Sequence, residues 1–416
     1  MSPLAQTVSC LDGYDPDSLR ADKASEAIRT CLSVVKEAED VKIREALGRV
    51  LAQDIIPSIN VPAHDNSAMD GYAVRFSDLS GEVSLDVIGT ALAGKPFAQE
   101  ARPGQCVRVM TGAVMPAGTD TVVVQEVVRK EGARVVVPPG QRLAQNVRYA
   151  GEDLKIGVPV LRPGKLLRAA EIGLIASLGI PQVKVKRRLR VALFATGDEL
   201  ASIGAPLKEG EVYDSNRYTL HGMLARLGVE IVDLGVVRDD PAALEKAFVL
   251  ASKQDAIITT GGVSVGEADF VKQLMARLGE VLFWKIAMRP GRPMAFGKIG
   301  DAFLFGLPGN PVAVMVTFYQ FVREALLHMA GATETALPLL KATAAESLRK
   351  VPGRTEFQRG ILFWKDDEWQ VRTTGQQGSG VLRSMSEANC FIVLEHERGK
   401  VAAGERVQVQ LFEGLA

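Results

Sequence analysis

The sequence contains little cysteine or histidine, and neither residue is spaced as a binding site. The 416 residues include four cysteines, Cys10, Cys31, Cys106 and Cys390, which lie far apart and form no C-x-x-C pair. The four histidines show no metal-ligand spacing either. The pattern therefore indicates neither a disulfide framework nor a structural zinc site.

The chain also lacks an excess of either charge and a long apolar run. Lysine plus arginine and aspartate plus glutamate both number 49, whereas proteins that bind nucleic acid or membrane surfaces usually carry a basic excess. The longest apolar stretch, 302–322, is broken by Pro308, Gly309, Asn310 and Pro311. The N-terminus has no basic or apolar region typical of a signal peptide. We therefore expect a cytoplasmic protein that binds neither nucleic acid nor membranes.

The residue pattern changes along the chain in a way that predicts several domains. A chain of this length is long enough for about two to four of them. Short β-branched runs, alternating strand and helix patterns, and a return to short strands follow one another. We predict a helical and linker region at 1–60 and 145–185, a β-rich domain at 61–144, a central α/β domain at 186–332 and a C-terminal β-barrel at 333–416.

Two parts of this prediction are specific enough to check residue by residue. Within 22–53 we expect two helices, the second supported by Ile43, Ala46, Leu47, Val50 and Leu51 at helical spacing. From 189 to 330, continuous apolar strands alternate with helices. This alternation predicts a doubly wound, mostly parallel sheet with helices on both faces.

Ligands of open α/β sheets bind beyond the carboxyl ends of the strands, and three such ends carry unusual loops. In the first, Thr196 and Gly197 precede Asp198 and Glu199. The two carboxylates either cap a helix or hold a hard cation such as Mg²⁺, which takes one or two carboxylates together with phosphate oxygens. This loop alone leaves both interpretations open.

The second loop contains a G-x-S-x-G sequence from Gly262 to Gly266, with Ser264 at its centre. This is the sequence of a serine-hydrolase nucleophile elbow, but only His328 and His396 lie downstream and no HGGG-type loop is present. Glycines and small residues between a strand and a helix are better suited to a phosphate cradle. Asp269 would then be a second carboxylate directed at a cation.

The third loop is 306–311, in which Asn310 and Pro311 are suited to starting a helix. A rigid turn is the simpler interpretation of this loop alone. Three glycine-rich loops at successive strand ends instead favour an elongated ligand that contains phosphate. No complete Walker-A or G-x-G-x-x-G sequence is present, which argues against a standard ATPase or Rossmann dehydrogenase.

Two further segments concentrate polar groups. Lys285, Arg289 and Arg292 occur within eight residues beside Pro290 and Pro293, and guanidinium forks match tetrahedral oxyanions. A solvated charged loop is the alternative. The segment 64–73 gathers polar side chains in an apolar neighbourhood, for which a turn with Asx caps is the simpler interpretation.

Taken together, these segments resemble the molybdopterin molybdenumtransferase family, the type of MoeA and of the gephyrin E domain. The resemblance rests on 65–73, 196–200, 261–266 and 306–311, with Gly375–Ser379 in the tail, and its order and spacing cover essentially the whole chain. It implies an elongated homodimer whose central domain is like that of the molybdopterin adenylyltransferases of the MoaB and Mog type. It also implies Mg²⁺-dependent release of AMP from adenylylated molybdopterin and ligation of molybdate, the second substrate, to the dithiolene sulfurs.

The resemblance further implies residue roles and partners. The catalytic set would be Asp65, Glu199, Asp239 and Asp269, and the metal set Asp198, Glu199 and Asp269. Molybdate would be bound by Arg289, Arg292, Pro293, Arg354 and Ser379. Substrate and phosphate would be bound by Ser67, Asp70, Thr111, Asp153, Thr196, Gly197, Gly261, Gly262, Ser264, Gly266, Lys285, Pro308, Gly309 and Asn310. The 65–71 loop would reach the cleft from the partner subunit, and molybdopterin adenylyltransferase and cofactor-accepting proteins would be transient partners.

The sequence departs from the family at two places. Arg289 and Arg292 stand where lysines are common, and a bidentate guanidinium would change molybdate affinity or selectivity. Ala313 stands where serine often follows G-N-P-V, which removes one polar contact.

Other functions fit part of the pattern. An adenylyltransferase or nucleotide-derivative hydrolase would need only the central domain, but 1–185 and 335–416 flank it. A non-catalytic scaffold would be indicated by loss of acidic loop residues, but Asp65, Asp198, Glu199 and Asp269 are all present. Labelling of Ser264 by a fluorophosphonate would indicate a serine hydrolase.

Overall fold

Three six-stranded sheets dominate the part of the chain that the computed structural model describes, which is residues 3–9, 14–261 and 269–412. One sheet is formed by 71–137, one by 190–307 and one by the C-terminal residues with a short strand at 288–289. Within those described ranges, no helix is long and apolar enough to cross a membrane.

The N-terminal region contains less helix than its sequence pattern predicts. Its elements are α1 (Pro3–Ser9), α2 (Ala21–Cys31) and β1 (Ala38–Lys42). The predicted second helix is wrong: residues 43–45 form a single 3₁₀ turn, and Gly48 then takes a φ of 74° that ends any helical path. Two of the apolar residues that were assigned to this helix instead form antiparallel β-bridges, Val50 with Leu166 and Leu51 with Val185.

The β-rich unit that follows is a mixed sheet with a core on each face. Its strands are β2 (Asn66–Ser67), β3 (Gly71–Val74), β4 (Val83–Ala91), β5 (Gln105–Val109), β6 (Thr121–Val124), β7 (Arg129–Glu131), β8 (Arg134–Val137) and β9 (Val147–Arg148). The large sheet runs in the order β6-β3-β5-β4-β8-β7, and β2 pairs with β9. Consecutive valines of β6 point alternately to the two cores, Val122 to one and Val123 to the other, because successive side chains of a strand face opposite sides.

Two extended segments connect this unit to the rest of the chain and lie side by side. Val61 and Leu154 exchange two backbone hydrogen bonds, of 2.8 and 3.0 Å, and Ile55 bridges Leu161 in the same antiparallel sense. After the returning segment come α3 (Ala169–Ser177) and β10 (Gln182–Lys186), and β10 pairs with β1. The helical region is thus formed by residues from both sides of the β-rich unit.

The central unit is the expected doubly wound sheet. Its elements are β11 (Arg190–Thr196), β12 (Leu200–Ala201), β13 (Val212–Tyr213), α4 (Ser215–Arg226), β14 (Glu230–Val237), α5 (Pro241–Ala251), β15 (Ala256–Thr260), α6 (Asp269–Leu278), β16 (Gly279–Lys285), β17 (Met288–Arg289), β18 (Pro293–Ile299), β19 (Ala302–Leu307), α7 (Pro311–Thr317) and α8 (Arg323–Met329). The order is β14-β11-β15-β19-β18-β16, in which the first four strands are parallel and β18 and β16 are antiparallel. The sequence analysis missed β18. One π-helical turn, 318–322, joins α7 to α8.

The C-terminal residues form the predicted barrel. Its elements are β20 (Leu339–Ala344), β21 (Thr355–Lys365), β22 (Glu368–Thr373), α9 (Arg383–Glu387), β23 (Cys390–Leu394) and β24 (Arg406–Leu411). Because β21 pairs with both β22 and β23, the five strands β20 to β24 close into a barrel. The first two residues of β21, Thr355 and Glu356, also pair in parallel with β17 of the central unit. Phe357 and Phe391 belong to the same buried cluster as Phe318 and Phe321, so the barrel and the central unit share one core.

Gly71 offers a test of the β-rich sheet. A Cβ at this position would lie within 3.0 Å of the backbone of Val123 on the neighbouring strand. We expect Gly71→Ala to lose about 1–3 kcal/mol of stability through overpacking, lowering the urea concentration at the unfolding midpoint measured by circular dichroism. Gly222→Ala is the control, because a Cβ there meets nothing within 4 Å and alanine favours helix α4. Equal midpoints for the two variants would contradict the close packing of β3 on β6.

Candidate functional site

Four parallel strands, β14, β11, β15 and β19, end at one edge of the central sheet. The loops that follow them contain Asp239, Asp198 with Glu199, Gly261, and the Pro308–Asn310 turn. Hydrogen bonds join neighbouring loops: the Asp239 N–H donates to Asp198 Oδ1 at 3.3 Å, and the Gly261 N–H donates to the Leu307 oxygen at 3.3 Å. The structure therefore brings together the described parts of all three predicted glycine-rich loops.

Two glycines at this edge allow neighbouring atoms to lie closer to the backbone than a Cβ would permit. Gly197 and Gly261 have φ values of 146° and 90°, in the region that favours glycine. A Cβ on Gly261 would lie within 3.0 Å of the Thr196 oxygen, and one on Gly197 would lie equally close to the Glu199 carboxylate. Any side chain at position 197 would displace that carboxylate. Asp198 and Glu199 are both exposed to solvent.

Asn216, which the sequence analysis missed, connects two of these loops. Its Nδ2 donates to Thr260 Oγ1 at 3.0 Å and to the Gly309 oxygen at 2.7 Å, and Thr260 Oγ1 donates to the Pro308 oxygen at 3.1 Å. The only sequence signal was its place at the start of α4, where a helix-starting role explains it equally well.

Several buried polar atoms at this edge have no partner among the described residues. They are Thr196 Oγ1, Thr259 Oγ1 and Asn216 Oδ1. Buried polar atoms are nearly always hydrogen-bonded, so a group of unsatisfied ones at a concave edge is typical of a ligand site.

Part of the second loop lies outside the described residues. Gly262, Ser264 and Gly266 are not among the described residues. Asp269 is the first residue of α6, but its side chain is not described. Among the side chains that are described, no three of histidine, cysteine, aspartate or glutamate converge to hold a metal.

A second concave region lies between the β17 segment and the barrel. This cleft has a volume of about 530 Å³ and is lined by Arg289, Pro290, Glu346, Ser347, Leu348, Arg349, Glu356, Phe357, Gln358, Arg359, Thr373, Gly375 and Gln377. Of the five residues expected to bind molybdate, only Arg289 lines it. Arg292 and Arg354 are exposed nearby, Pro293 begins β18, and the Ser379 oxygen accepts the Val312 N–H at the start of α7, at 3.1 Å.

Arg359 is the most informative residue of this cleft, and the sequence analysis missed it. Only 1% of the residue is exposed. Its guanidinium donates to Ser384 Oγ and the Gly378 oxygen at 3.0 Å and to the Gln376 oxygen at 3.4 Å, all neutral acceptors. Burial, reinforced by the charge of Arg289, lowers its pKa to about 10. Among the described residues Arg359 has no carboxylate partner, and a buried cation of this kind is costly unless an anion balances its charge.

Lys285, expected to bind phosphate, has a partner within the chain. Its Nζ lies 2.6 Å from Asp17 Oδ1, and the backbone around it pairs with Pro16 and Leu19. The hydrogen bond and charge of Lys285 lower the pKa of Asp17, with a smaller contribution from Arg292. The pair is exposed, so it contributes little to stability.

The predicted residues of the β-rich unit form their own group. The Asp65 carboxylate accepts the Ala150 N–H at 2.8 Å, and Ser67 Oγ donates to the Met69 oxygen. Thr111 donates from both its N–H and its hydroxyl to one oxygen of Asp70, at 2.7 and 2.8 Å. Asp153 is exposed on the returning segment.

This group is separate from the sheet edge within one chain. Among residues 14–261 and 269–412, no hydrogen bond or ion pair joins 63–150 to the central or C-terminal units. The two β-rich cores likewise contain only residues of 72–147. The described part of a single chain therefore leaves Asp65, Ser67 and Asp70 apart from Asp198 and Glu199.

Comparison with known proteins covers nearly the whole chain. Family models match 19–179 (MoeA N-terminal region, domains I and II), 192–328 (probable molybdopterin binding domain) and 341–412 (MoeA C-terminal region, domain IV). A molybdopterin molybdenumtransferase of Haemophilus influenzae is 45% identical over 95% of this chain and 99% of its own. One from a Nostoc species is 36% identical over 90% of this chain and 88% of its own.

The chain belongs to the MoeA family of molybdopterin molybdenumtransferases. A crystal structure of the MoeA protein of Pyrococcus horikoshii agrees, with a TM-score of 0.83 at 29% identity over 95% of this chain and all of that one. Membership confirms the resemblance seen in the sequence, including a transferase of molybdenum cofactor biosynthesis with a molybdopterin-binding domain.

Within this MoeA chain, one of the two departures from the family pattern is buried. Ala313 is 2% exposed, and its backbone oxygen lies below Gly291 in the turn that carries Arg289 and Arg292. A serine hydroxyl at this position would be buried. Both arginines are exposed, so their longer, forked heads extend into solvent beside the cleft.

The Thr111–Asp70 contact allows a direct test of the geometry in the β-rich loop. The N–H and then the hydroxyl of Thr111 lower the pKa of Asp70 below its ordinary value of 3.8. Because the ionised form is favoured, any stability that it adds is present above the ordinary pKa and is lost as the pH falls through the lowered one. We expect Thr111→Val to raise the Asp70 pKa and Thr111→Ser to preserve it, as measured by carboxyl NMR titration. Identical titration curves for all three proteins would exclude the hydroxyl contact.

Proposed function

We propose that this enzyme takes molybdenum from molybdate, inserts it into adenylylated molybdopterin and releases AMP with the help of Mg²⁺. The observation that supports this most strongly is the adjacency of two sites. Carboxylate-bearing loops meet at the sheet edge, and α7, which begins in one of those loops, contacts Ser379 beside the arginine-lined cleft. One ligand spanning both places would present a phosphoanhydride at the edge and its dithiolene toward the cleft.

The residues at the edge are suited to Mg²⁺. Asp198 and Glu199 would hold the ion, with Asp269 as a further candidate, and substrate phosphate oxygens would complete the donor set. This agrees with the preference of Mg²⁺ for one or two carboxylates plus phosphate and water. The ion would neutralise charge on the phosphoanhydride as it opens.

The chain's own groups would orient the substrate. The Gly197 and Pro308–Asn310 loops lie at the same edge as Thr196, and free backbone N–H groups of such loops would bind phosphate. Gly262, Ser264 and Gly266 would extend this cradle. Asp239, whose N–H already donates to Asp198, would help to position the attacking water.

Molybdate would bind in the arginine-lined cleft. Arg289, Arg349 and Arg359 provide three guanidinium groups there, of which only that of Arg359 is buried, and Arg292, Arg354, Pro293 and Ser379 would lie at its margin. A tetrahedral dianion would neutralise the buried charge of Arg359, whose hydrogen-bond partners among the described residues are all neutral. Molybdate would then gain a charge-assisted hydrogen bond, and Arg359 would gain a negatively charged partner.

We further propose that the active enzyme is a homodimer in which one subunit's β-rich loop completes the other's cleft. This would unite Asp65, Ser67 and Asp70 with the sheet edge, from which they are separate within the described chain. Molybdopterin adenylyltransferase would supply the substrate, and cofactor-accepting proteins would receive the product.

The molybdate site can be tested by dose response. We expect Arg289→Gln to raise the molybdate concentration for half-maximal metal insertion by about tenfold, because it removes one charge-assisted contact. Arg359→Lys should do the same while keeping a buried cation. Arg354→Gln is the comparison, because this side chain lies outside the cleft lining. An unchanged dependence for Arg289→Gln and Arg359→Lys, with a shift only for Arg354→Gln, would assign the oxyanion to Arg354 instead.

Mixing inactive subunits tests the composite site. Glu199→Gln and Asp65→Asn should each abolish AMP release without altering the circular dichroism spectrum. Randomly mixed dimers of the two should recover about a quarter of wild-type activity, because each heterodimer retains one complete site. Glu199→Gln mixed with Asp239→Asn is the matched control and should stay inactive, since both changes affect the same half-site. If the first mixture is also inactive, the crossover arrangement is excluded.

A further inference from the structure

The loop that carries Ser379 is attached to the barrel through one of its side chains, that of Gln377. This loop, 374–380, lies between β22 and α9, and three of its seven residues are glycines. Glycine loses more conformational freedom on folding than any other residue, so a loop of this composition does not hold one conformation by itself. Its conformation must be fixed by contacts with neighbouring segments.

The side-chain amide of Gln377 continues the pairing of β21 where β22 ends. The pairing of these two strands ends at Gly360 and Thr373. At the next residue of β21, the Arg359 N–H donates to Gln377 Oε1 at 2.7 Å, and Gln377 Nε2 donates to the Arg359 oxygen at 3.2 Å. That oxygen also accepts the Thr374 N–H at 3.1 Å. A side-chain amide offers a donor and an acceptor as a peptide group does, so Gln377 acts here as a strand residue would.

The guanidinium of Arg359 binds the same loop on either side of Gln377. Its Nη2 donates to the Gly378 oxygen at 3.0 Å and to the Gln376 oxygen at 3.4 Å. Three consecutive loop residues are thus attached to Arg359, the outer two through its side chain and the middle one through its backbone. If the Gln377 contact were lost, the loop would no longer present its two carbonyls to the guanidinium in a fixed position.

The attached loop also contacts the central unit and borders the arginine-lined cleft. The Ser379 oxygen accepts the Val312 N–H at the start of α7, and Gln377 lines the cleft together with Arg289 and Arg359. Groups that are already fixed bind a ligand more tightly, because ordering mobile groups costs part of the binding free energy. A residue that fixes this loop would therefore strengthen the binding of an anion in the cleft.

We propose that Gln377 is a positioning residue for the oxyanion. Its amide fixes the 374–380 loop on β21, and the loop in turn holds the Arg359 guanidinium and Ser379 in the geometry that binds molybdate. This inference rests on the proposed molybdate site and adds a residue that acts through Arg359. Because its bonds are made to β21 and to its own loop, Gln377 affects the affinity for molybdate and not the opening of the phosphoanhydride at the sheet edge.

The first experiment measures how AMP release by the full-length protein depends on molybdate in Gln377→Met, which has a similar length and no amide. We expect the half-maximal molybdate concentration to rise about tenfold, because both amide bonds to Arg359 are lost. The maximal rate should stay within about twofold of the wild type, as for any change that weakens binding alone. Gln376→Met is the matched control, because this neighbouring side chain is exposed and does not line the cleft.

The second experiment needs no turnover. Isothermal titration with molybdate alone should show about tenfold weaker binding for Gln377→Met. Hydrogen–deuterium exchange of the peptide that contains Arg359 should become faster, because the Arg359 N–H loses its acceptor. Gln376→Met should match the wild type in both measurements. Gln377→Asn keeps the amide on a side chain shorter by one methylene, so it should also weaken binding, without placing an apolar group in the cleft.

The positioning role is overturned if Gln377→Met and Gln377→Asn retain the wild-type affinity for molybdate, or if Gln376→Met weakens it equally. A lower maximal rate at an unchanged half-maximal concentration would also overturn it. Failure of the proposed function gives a different result, because the wild-type protein itself would then bind no molybdate, and both proposals would fall. Wild-type binding that the Gln377 variants share overturns the positioning role alone.

Discussion

Parallel pairing of β14, β11, β15 and β19 is the constraint on which the candidate site depends. Because parallel strands all end at the same edge, four loops that are far apart in sequence meet there. Asn216 and the Asp239–Asp198 bond then fix the loops relative to one another. The positive φ of Gly197 and Gly261 permits the close approach that this convergence requires.

The barrel adds what the sheet alone does not provide, a buried positive charge. Arg359 lies on β21, which pairs with both barrel neighbours and with β17 of the central unit. The strand that carries the cation is thus the strand that attaches the barrel. A shared core, including Phe318, Phe357 and Phe391, keeps the two units in fixed register. The proposed molybdate site and the attachment of the barrel therefore depend on the same strand.

The sequence pattern predicted the structure best where burial of whole strands or their position in a parallel sheet determined it. Continuous apolar strands alternating with helices predicted the central sheet, and strand-end loops predicted the residues gathered at its edge. The helix predicted over 43–51 was wrong. The spacing of apolar residues contains no information on the positive φ of Gly48 or on pairing with the distant residues Leu166 and Val185. Strand β18 was missed because the cations and prolines before it were interpreted as a loop. Arg359 and Asn216 were missed because their environments depend on pairing between segments that are distant in sequence.

The paired segments around Ile55–Leu161 and Val61–Leu154 have a consequence for how this architecture arose. The chain leaves the helical region and returns to it at adjacent points, so the β-rich unit is an insertion within a domain that closes without it. Insertions with neighbouring ends are readily gained, exchanged or lost, since the host fold keeps its connectivity. An ancestor with only the host and the sheet would already have possessed the edge that we propose as the phosphate site. The inserted unit is, in this order of events, the later acquisition.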